Sequence, residues 1–341
     1  MRTKFAISQL PARQIGNVQY DHSMENKYYT PKTLGDAIGV SQSSLKRWAD
    51  RGLLNVERTV GGHRRIVLEE ALRFIRESGV SIVKPDVLGL EDYDIDTEGQ
   101  DLDSADKLYY ALHAGDETGV RGLVLNQYLE GRPLHEIFDQ DLQPAMTRIG
   151  LLWHDDISGI TIEHRAHDIC MQVLADLRFR LPKVFTKGMA IGCSAPGDSY
   201  SMPTALVATA LRAEGFEAVN LGPNLPLDAL MDECKKVKPV LVWISISHLK
   251  KAHILRNDLR DFARFLRDQQ GALVIGGSQV SRLRLDKDPF VLIGKNIHEL
   301  VSISRGLVAE RMTGEKHAAV PARALGRSYA SAFGERRAYC G

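Results

Sequence analysis

Four side chains in the middle of the sequence combine types that could bind a ligand. Trp153 and His154 are adjacent, and Glu163 and His164 follow after eight intervening residues. An aromatic ring, two imidazoles and a carboxylate could line a polar pocket here, because a helix start concentrates unpaired N–H donors. A histidine taken alone is more often a surface or hydrogen-bonded structural residue. The cluster as a whole indicates a candidate ligand site.

A second set of small and polar residues follows predicted strands farther along the chain. It comprises Asp198, Ser199 and Tyr200 after the first strand, Ser245 and Ser247 at the end of the third, and Gly276 and Gly277 at the end of the fourth. In a parallel sheet with helices on both faces, ligands bind at the carboxyl ends of the strands. These residues are therefore candidate binding residues, although glycines and serines there can also serve only tight turns.

A third set, near the N-terminus, could contact DNA. One predicted helix presents Gln42, Ser43, Lys46 and Arg47 on its polar face, and a glycine-rich segment after it carries Arg58, His63, Arg64 and Arg65. Early residues of such a helix can read base edges in the major groove, whereas a basic hairpin can contact the sugar-phosphate backbone. The alternative is a solvated basic hairpin on a small helical domain.

The elements that must position the basic residues follow a helix-turn-helix pattern. Thr30-Pro31 caps and opens a first helix, Gly39 ends it, and Ser41 caps a second helix. Two extended segments joined by Gly61-Gly62 then predict a hairpin, which would be a wing.

The remaining elements predict two further units. From residue 104 to about 181, apolar residues repeat at helical spacing, which predicts a bundle of three or four helices. From residue 187, five strand-like runs alternate with helices, which predicts a doubly wound, flavodoxin-like or Rossmann-like parallel sheet. The expected fold class is multidomain: a winged helix-turn-helix, a helical bundle and an α/β domain.

Charge and length suggest where these units begin and end. A chain of 341 residues can bury two or three cores. Residues 27–78 hold ten Lys/Arg against six Asp/Glu, whereas residues 79–107 hold nine acids against two lysines, a segregation that favours a nucleic-acid partner for the head. We predict a flexible arm over 1–26, a DNA-binding domain over 27–78, an acidic linker over 79–103, a bundle over 104–184, an α/β domain over 185–312 and a basic tail over 313–341.

The cysteines and the hydropathy indicate the compartment. The four cysteines, Cys170, Cys193, Cys234 and Cys340, have no CxxC or metal spacing, so we interpret them as reduced thiols. The sequence has no stretch resembling a signal peptide and no run of about 18 apolar residues. We therefore expect a cytoplasmic protein without a membrane partner.

The head resembles the DNA-binding domain of the MerR family. The resemblance covers the run from Tyr28 to Leu54 and the later Gly61–Ile66 segment, and Trp48, Gly52-Leu53 and Gly62–Arg65 carry most of it. It implies binding to double-stranded DNA. It also suggests a homodimer or homotetramer, because symmetric operators require at least two heads.

Residues 104 to about 310 are similar to the cobalamin-binding unit of light-responsive, adenosylcobalamin-dependent MerR-type repressors, and to units of methionine synthase and corrinoid carrier proteins. In these repressors a Trp, nine residues and then Glu-His cover the upper face of adenosylcobalamin. Trp153, Glu163 and His164 match that spacing, and His154 matches the histidine that binds the metal after photolysis. The resemblance implies cobalamin as a cofactor, with His154 or His164 as a cobalt ligand. Its sheet half is carried by Leu221-Gly222, Pro226, Ser245, Ser247 and Gly276-Gly277.

One family motif is altered in this chain. Members carry an acidic residue, any residue, the His that is the lower cobalt ligand, two more residues and Gly. Here Tyr200 replaces that His and Pro203 replaces that Gly. Imidazole is neutral near pH 7, whereas a phenol with a pKa of about 10 must first lose a proton. Proline also removes space and an N–H beside the cobalamin tail.

These observations leave three functions to compare. The first is a transcriptional regulator whose C-terminal unit senses cobalamin in a modified mode, or another tetrapyrrole, and gates oligomerisation and operator binding. The second is a regulator controlled by a protein partner instead of a small molecule. The third, a corrinoid-dependent methyltransferase subunit, would need the missing histidine and has no use for a DNA-binding head, so we expect no enzyme.

Overall fold

The computed structural model describes residues 28–88, 90, 102–154 and 157–313. The expected flexible arm, about half of the acidic linker and nearly all of the basic tail lie outside these residues. None of the helices in these ranges combines the length and the hydropathy that a membrane span requires.

The head is a winged helix-turn-helix, as the sequence predicts. Its elements are β1 (Tyr28–Tyr29), α1 (Pro31–Ile38), α2 (Gln42–Asp50), β2 (Glu57–Arg58), β3 (Arg64–Val67) and α3 (Leu68–Ser78). The Thr30 and Ser41 side chains accept hydrogen bonds from the amides of Thr33 and Ser44, so each caps a helix. Gly39 ends α1 at φ +69°, a conformation that favours glycine.

The core of the head extends beyond the expected end of this domain at residue 78. Trp48 of α2 packs on Phe74 of α3, with ring centroids 5.2 Å apart. After α3 the chain returns to α1, where the Val83 amide donates to the Ala37 carbonyl at 2.8 Å. Leu88 and Leu90 are buried, and the Tyr29 hydroxyl donates to the Leu88 carbonyl. The first part of the predicted linker is therefore packed against the head.

Four helical segments form the bundle. They are α4 (Ser104–Ala114), α5 (Glu117–Leu129), the segment from α6 (Leu134–Ile137) through a π-helical turn (Phe138–Leu142) to α7 (Gln143–Ile149), and α8 (Ser158–Arg180). Asp103 and Asp116 cap α4 and α5. The predicted apolar stripes are buried along these helices, which confirms the bundle.

The α/β domain has five parallel strands in the order β5-β4-β6-β7-β8. Its elements are β4 (Met189–Ser194), α9 (Met202–Ala213), β5 (Glu217–Asn220), α10 (Leu227–Val237), β6 (Leu241–Ser245), α11 (Ala252–Asp268), β7 (Ala272–Gly276), β8 (Val291–Ile293) and α12 (Ile297–Thr313). Both sheet faces are covered: Leu241 and Trp243 lie in the core with α9 and α12, whereas Val242 and Ile244 lie in the core with α10 and α11. The predicted doubly wound fold is confirmed.

The head packs directly on the bundle. α3 contacts α5 and α8. The Arg76 guanidinium lies over the Tyr128 ring at 4.1 Å and donates to the carbonyls of Tyr128 and Arg132. Lys183 pairs with Glu69 at 2.8 Å. Amphipathic α3 thus buries one face in the head, and residues elsewhere on it bind the bundle.

The bundle packs in turn on one face of the sheet. α8 contacts α9, and α6 contacts both α9 and α12. Glu214, at the end of α9, pairs with Arg305 at 2.7 Å and Lys187 at 3.3 Å. Burial by itself would raise the pKa of Glu214, but the hydrogen bonds and charges of Arg305 and Lys187 outweigh it and the pKa is lowered. Glu214 is therefore an ionised carboxylate at this interface.

Candidate functional site

The outer face of α2 is free to meet DNA. Leu45 is buried and anchors the helix. The predicted base-contacting side chains all lie on the exposed side: Gln42, Ser43, Lys46 and Arg47. Because Gln42 and Ser43 occupy the first turn, they stand where a recognition helix reaches base edges.

The wing is a short hairpin formed by β2 and β3. Its turn is closed by the Thr59 amide, which donates to the His63 carbonyl at 2.9 Å, and Gly62 there has φ +78°. Arg58, His63 and Arg65 are exposed. The Arg65 guanidinium lies 5.4 Å from the centre of the Tyr28 ring. The hairpin therefore presents a positively charged surface beside α2.

Arg64 has a different environment from the one expected of a phosphate contact. Its guanidinium donates to Asp50 at 2.5 Å and to the Lys46 carbonyl at 2.8 Å, and its side chain is only 16% exposed. Arg64 thus ties the wing to the end of α2. The sequence could not reveal this pair, because the two residues meet only when the hairpin folds back on the helix.

The residues expected above the corrin surround the start of α8. Trp153 and His154 form an exposed turn, with their rings stacked at 3.8 Å. A Cβ on Gly159 would overlap the backbone of Leu152 and Trp153, so only glycine lets the turn lie this close to α8. Glu163 is half-buried and His164 is exposed one turn farther along the helix. Glycine at position 159 is a requirement that sequence reasoning missed.

Asp198, a predicted cofactor-binding residue, connects two loops of the α/β domain. The residue is fully buried. One carboxylate oxygen accepts hydrogen bonds from the amides of Ser247 and His248, at 2.6 and 3.1 Å, and the other accepts from the Tyr200 amide at 3.1 Å. Asp198 therefore fastens the loop after β4 to the loop after β6.

Tyr200 reaches from the sheet toward α8. Its ring lies 5.8 Å from that of His167, and Ser201 Oγ is 3.4 Å from His167 Nε2. Burial raises the pKa of Tyr200 to about 12, and Cys170 and Glu163 on α8 add to the increase. The phenol is consequently neutral at physiological pH. Sequence reasoning did not single out His167. In the described contacts its ring lies next to Tyr200 and Ser201, whereas neither His154 nor His164 contacts these two residues.

The Trp243 side chain, which belongs to β6, fills the space between β4 and α9. A Cβ on Gly192 would overlap the Trp243 ring, so the indole lies directly on this glycine. Trp243 Nε1 donates to Thr204 Oγ1 at 2.8 Å, and that hydroxyl donates to the Asn220 side chain at 3.1 Å. β4 and β6 flank the point at which the strand order reverses, where open α/β sheets bind their ligands. An indole therefore occupies the interior next to that point.

The other predicted strand-end residues divide between structural and accessible positions. Ser245 is buried. Gly277 has φ +110°, and a Cβ there would meet the Ile246 carbonyl, so this position needs glycine for the turn. Gly276 and Ser247 are half-buried, and Ser199 is exposed. Ser199 and Ser247 are the two serines of this set that a ligand could reach.

The two halves of the expected corrin site differ in their fit. The sheet half does not fit a corrin whose metal takes a ligand from the sheet, because position 200 carries a partly buried neutral phenol and Trp243 fills the adjacent interior. The bundle half is compatible with a ligand, since Trp153, His154 and His164 are exposed. Among the predicted corrin-site residues, the histidines His154 and His164 both lie on the bundle side.

Solved structures similar to this chain include three corrinoid proteins. The monomethylamine corrinoid protein of Methanosarcina barkeri is 23% identical, with 60% of this chain and 98% of that chain covered and a TM-score of 0.46. The methanol:cobalamin methyltransferase complex MtaBC of the same organism is 17% identical over 69% and 95%, with a TM-score of 0.33. A cobalamin-binding protein from Desulfitobacterium hafniense DCB-2 is 19% identical over 60% and 98%, with a TM-score of 0.33. A search of curated proteins found no match.

Two family models match separate parts of the chain. The model of the MerR HTH family regulatory proteins matches residues 29–66, which span β1 to the middle of β3. The model of the B12 binding domain matches residues 104–178, which span the bundle from α4 into α8. The pairing of a DNA-binding head with a B12 binding domain fits a non-enzymatic regulator. The chain thus carries a match to the MerR DNA-binding head and, after it, a match to the B12 binding domain, which is the combination expected of a MerR regulator with a cobalamin-binding unit.

Proposed function

We propose that this chain is a sequence-specific transcriptional regulator whose C-terminal unit senses a ligand and thereby gates oligomerisation and operator binding. The proposal rests chiefly on the course of α8. This helix has 23 residues and spans roughly 35 Å at 1.5 Å per residue. Glu163 and His164 lie in its first turns, and the helix also contacts α3 of the head. We also propose a cytoplasmic location for this regulator.

The C-terminal end of α8 gives the proposed coupling a physical basis. Burial raises the pKa of Tyr29 in the head to about 12, and the opposing influence on that pKa comes from Arg180 in the last turn of α8. Arg180 is itself buried and bonded to Asp176 at 2.8 Å. A ligand that moves this helix would therefore move a charge that acts on the buried Tyr29 of the DNA-binding head.

For the ligand we propose cobalamin bound in a modified mode, or another tetrapyrrole, contacted from the bundle side. The exposed Trp153 and His154 provide an aromatic surface and an imidazole, and Glu163 and His164 provide further polar groups. We extend the proposal to a light response, because His154 stands where the resembling repressors have the histidine used after photolysis. We propose no ligand to the metal from Tyr200.

One observation favours a protein effector as the second candidate. Large apolar side chains are exposed around the start of α8: Leu151 at 56%, Trp153 at 50%, Ile157 at 80% and Ile160 at 44%. Exposed apolar groups that gather in one place are typical of binding surfaces. An absorbance spectrum of the purified protein separates the candidates, since corrin or bilin bands support the first and their absence supports the second.

The DNA-binding assignment predicts two distinct defects. Arg47→Ala, on α2, should cost about 1–3 kcal/mol of binding and relax the choice of base, as expected for a base contact. Arg65→Ala, on the wing, should weaken binding to all sequences and reduce the slope of log affinity against log salt by about one, as expected for a phosphate contact. Both are measured by fluorescence anisotropy with a duplex that the wild type selects from a random pool.

Arg264→Ala is the matched control, because Arg264 is an exposed arginine on α11, outside the head. Its affinity and salt slope should equal those of the wild type. If Arg47→Ala and Arg65→Ala also behave like the wild type, the DNA-facing surface has been misassigned.

We further propose that the bundle and the α/β domain form a homodimer or homotetramer. A single head of this size gives modest affinity, and a symmetric operator needs paired heads. Multi-angle light scattering at micromolar concentration should therefore give a mass of at least twice the chain, in the presence of ligand or of operator DNA. A monomer under all these conditions would refute the proposed assembly.

A further inference from the structure

A cluster of metal-binding side chains lies away from the candidate ligand site, where the bundle meets the α/β domain. His135 and Glu136 belong to α6, and His298 belongs to the first turn of α12. One ligand atom from each of the three residues lies within 4.8 Å of those of the other two. We propose that His135, Glu136 and His298 form a binding site for a divalent transition metal of the Zn²⁺ type.

Several contacts fix the three side chains relative to one another. The π-helical turn follows α6 directly and carries Asp139, whose carboxylate accepts from the amides of Ile297 and His298 at 3.1 and 2.8 Å. These bonds join the start of α12 to the end of α6, and the rings of His135 and His298 lie 5.1 Å apart. π-helical turns inside helices are frequent at functional sites.

A second carboxylate lies behind the buried histidine. Glu214 Oε1 is 3.8 Å from His135 Nδ1, and Arg305 and Lys187 hold this carboxylate in place. Histidines that bind metals usually direct their other ring nitrogen to a carboxylate, which fixes the tautomer and orients the ring. Because Glu214 lies next to Nδ1 of His135, the other ring nitrogen, Nε2, remains available to a metal.

The donor set determines the class of metal. Two imidazoles and one carboxylate suit Zn²⁺, whereas hard cations such as Mg²⁺ and Ca²⁺ prefer sites made of oxygen ligands alone. His135 is 3% exposed while His298 is exposed, so a metal would enter from solvent and keep a position for water. Because its ligands come from α6 and α12, the metal would connect the bundle to the α/β domain.

The test uses the full, untagged chain, stripped with chelator and titrated with Zn²⁺ alone by isothermal calorimetry. We expect one Zn²⁺ bound through this site in the wild type. His298→Ala and Glu136→Gln should each weaken that binding by on the order of 100-fold, and Glu214→Gln by about 10–100-fold. Zn²⁺ should raise the Tm of the wild type but not that of His298→Ala, since a ligand stabilises only the state that binds it.

His253→Ala is the matched control, because His253 is an exposed histidine at the start of α11. It should bind Zn²⁺ as the wild type does. His135 is buried and its replacement could disturb folding, so the test depends on the accessible His298 and Glu136. Equal Zn²⁺ affinity in the wild type, His298→Ala and Glu136→Gln would overturn the proposal, as would the lack of any binding at micromolar Zn²⁺.

Discussion

Tyr200→His combined with Pro203→Gly is expected to bind cobalamin at least about 10-fold more tightly than the wild type, a difference of 1.4 kcal/mol or more. The wild-type phenol is neutral because burial raises its pKa to about 12. Histidine at this position would supply a neutral imidazole, which is a good metal ligand near pH 7. Glycine in place of Pro203 restores backbone freedom and an N–H at the start of α9.

Titration in the dark with adenosylcobalamin and hydroxocobalamin measures this effect. The absorbance spectrum should shift in the double variant only, because an added nitrogen ligand changes the metal's surroundings. Tyr200→Phe with Pro203→Gly is the matched control, since it removes the phenol and the proline without supplying a nitrogen. The argument from Tyr200 fails if the wild type binds as tightly as the double variant, or if the control binds as tightly as the variant with histidine.

Gly192→Ala is expected to destabilise the α/β domain by at least about 3 kcal/mol, at the upper end of the range for overpacked cores. An added methyl group at this position would overlap both the ring and the backbone carbonyl oxygen of Trp243. Neither can retreat easily, because the carbonyl belongs to a central strand and the indole N–H is bonded to Thr204. Urea unfolding followed by tryptophan fluorescence measures the loss.

A double-mutant cycle with Trp243→Leu identifies the cause. If the indole creates the overlap, Gly192→Ala should cost much less in the Trp243→Leu background than in the wild type. Gly306→Ala is the control for the change from glycine to alanine. A Cβ at position 306 meets nothing within 4 Å, so alanine in this helix should stabilise by up to about 1 kcal/mol. An equal cost of Gly192→Ala in both backgrounds would show that Trp243 does not fill this space.

The sequence alone determined the elements and the fold class. Local signals suffice for this: Thr30 and Ser41 cap helices through hydrogen bonds that span only three residues, and Gly39 ends a helix through its own φ angle. The strands of the sheet are apolar on both faces because helices cover both, which makes each strand visible as a short apolar run. The outer face of α2 followed from helical periodicity in the same way.

Only the tertiary structure decided what individual side chains do, because their partners are distant in the sequence. Arg64 is of a residue type that commonly contacts phosphate, yet its guanidinium binds Asp50, 14 residues away. Asp198 resembles a ligand residue, yet its carboxylate binds the amides of Ser247 and His248, about 50 positions later. The cluster of His135, Glu136 and His298 has no sequence signature, since α6 and α12 lie about 160 residues apart and meet only through packing of the bundle on the sheet. Periodicity records which face of an element is buried, but it carries no information about which distant residue that face will meet.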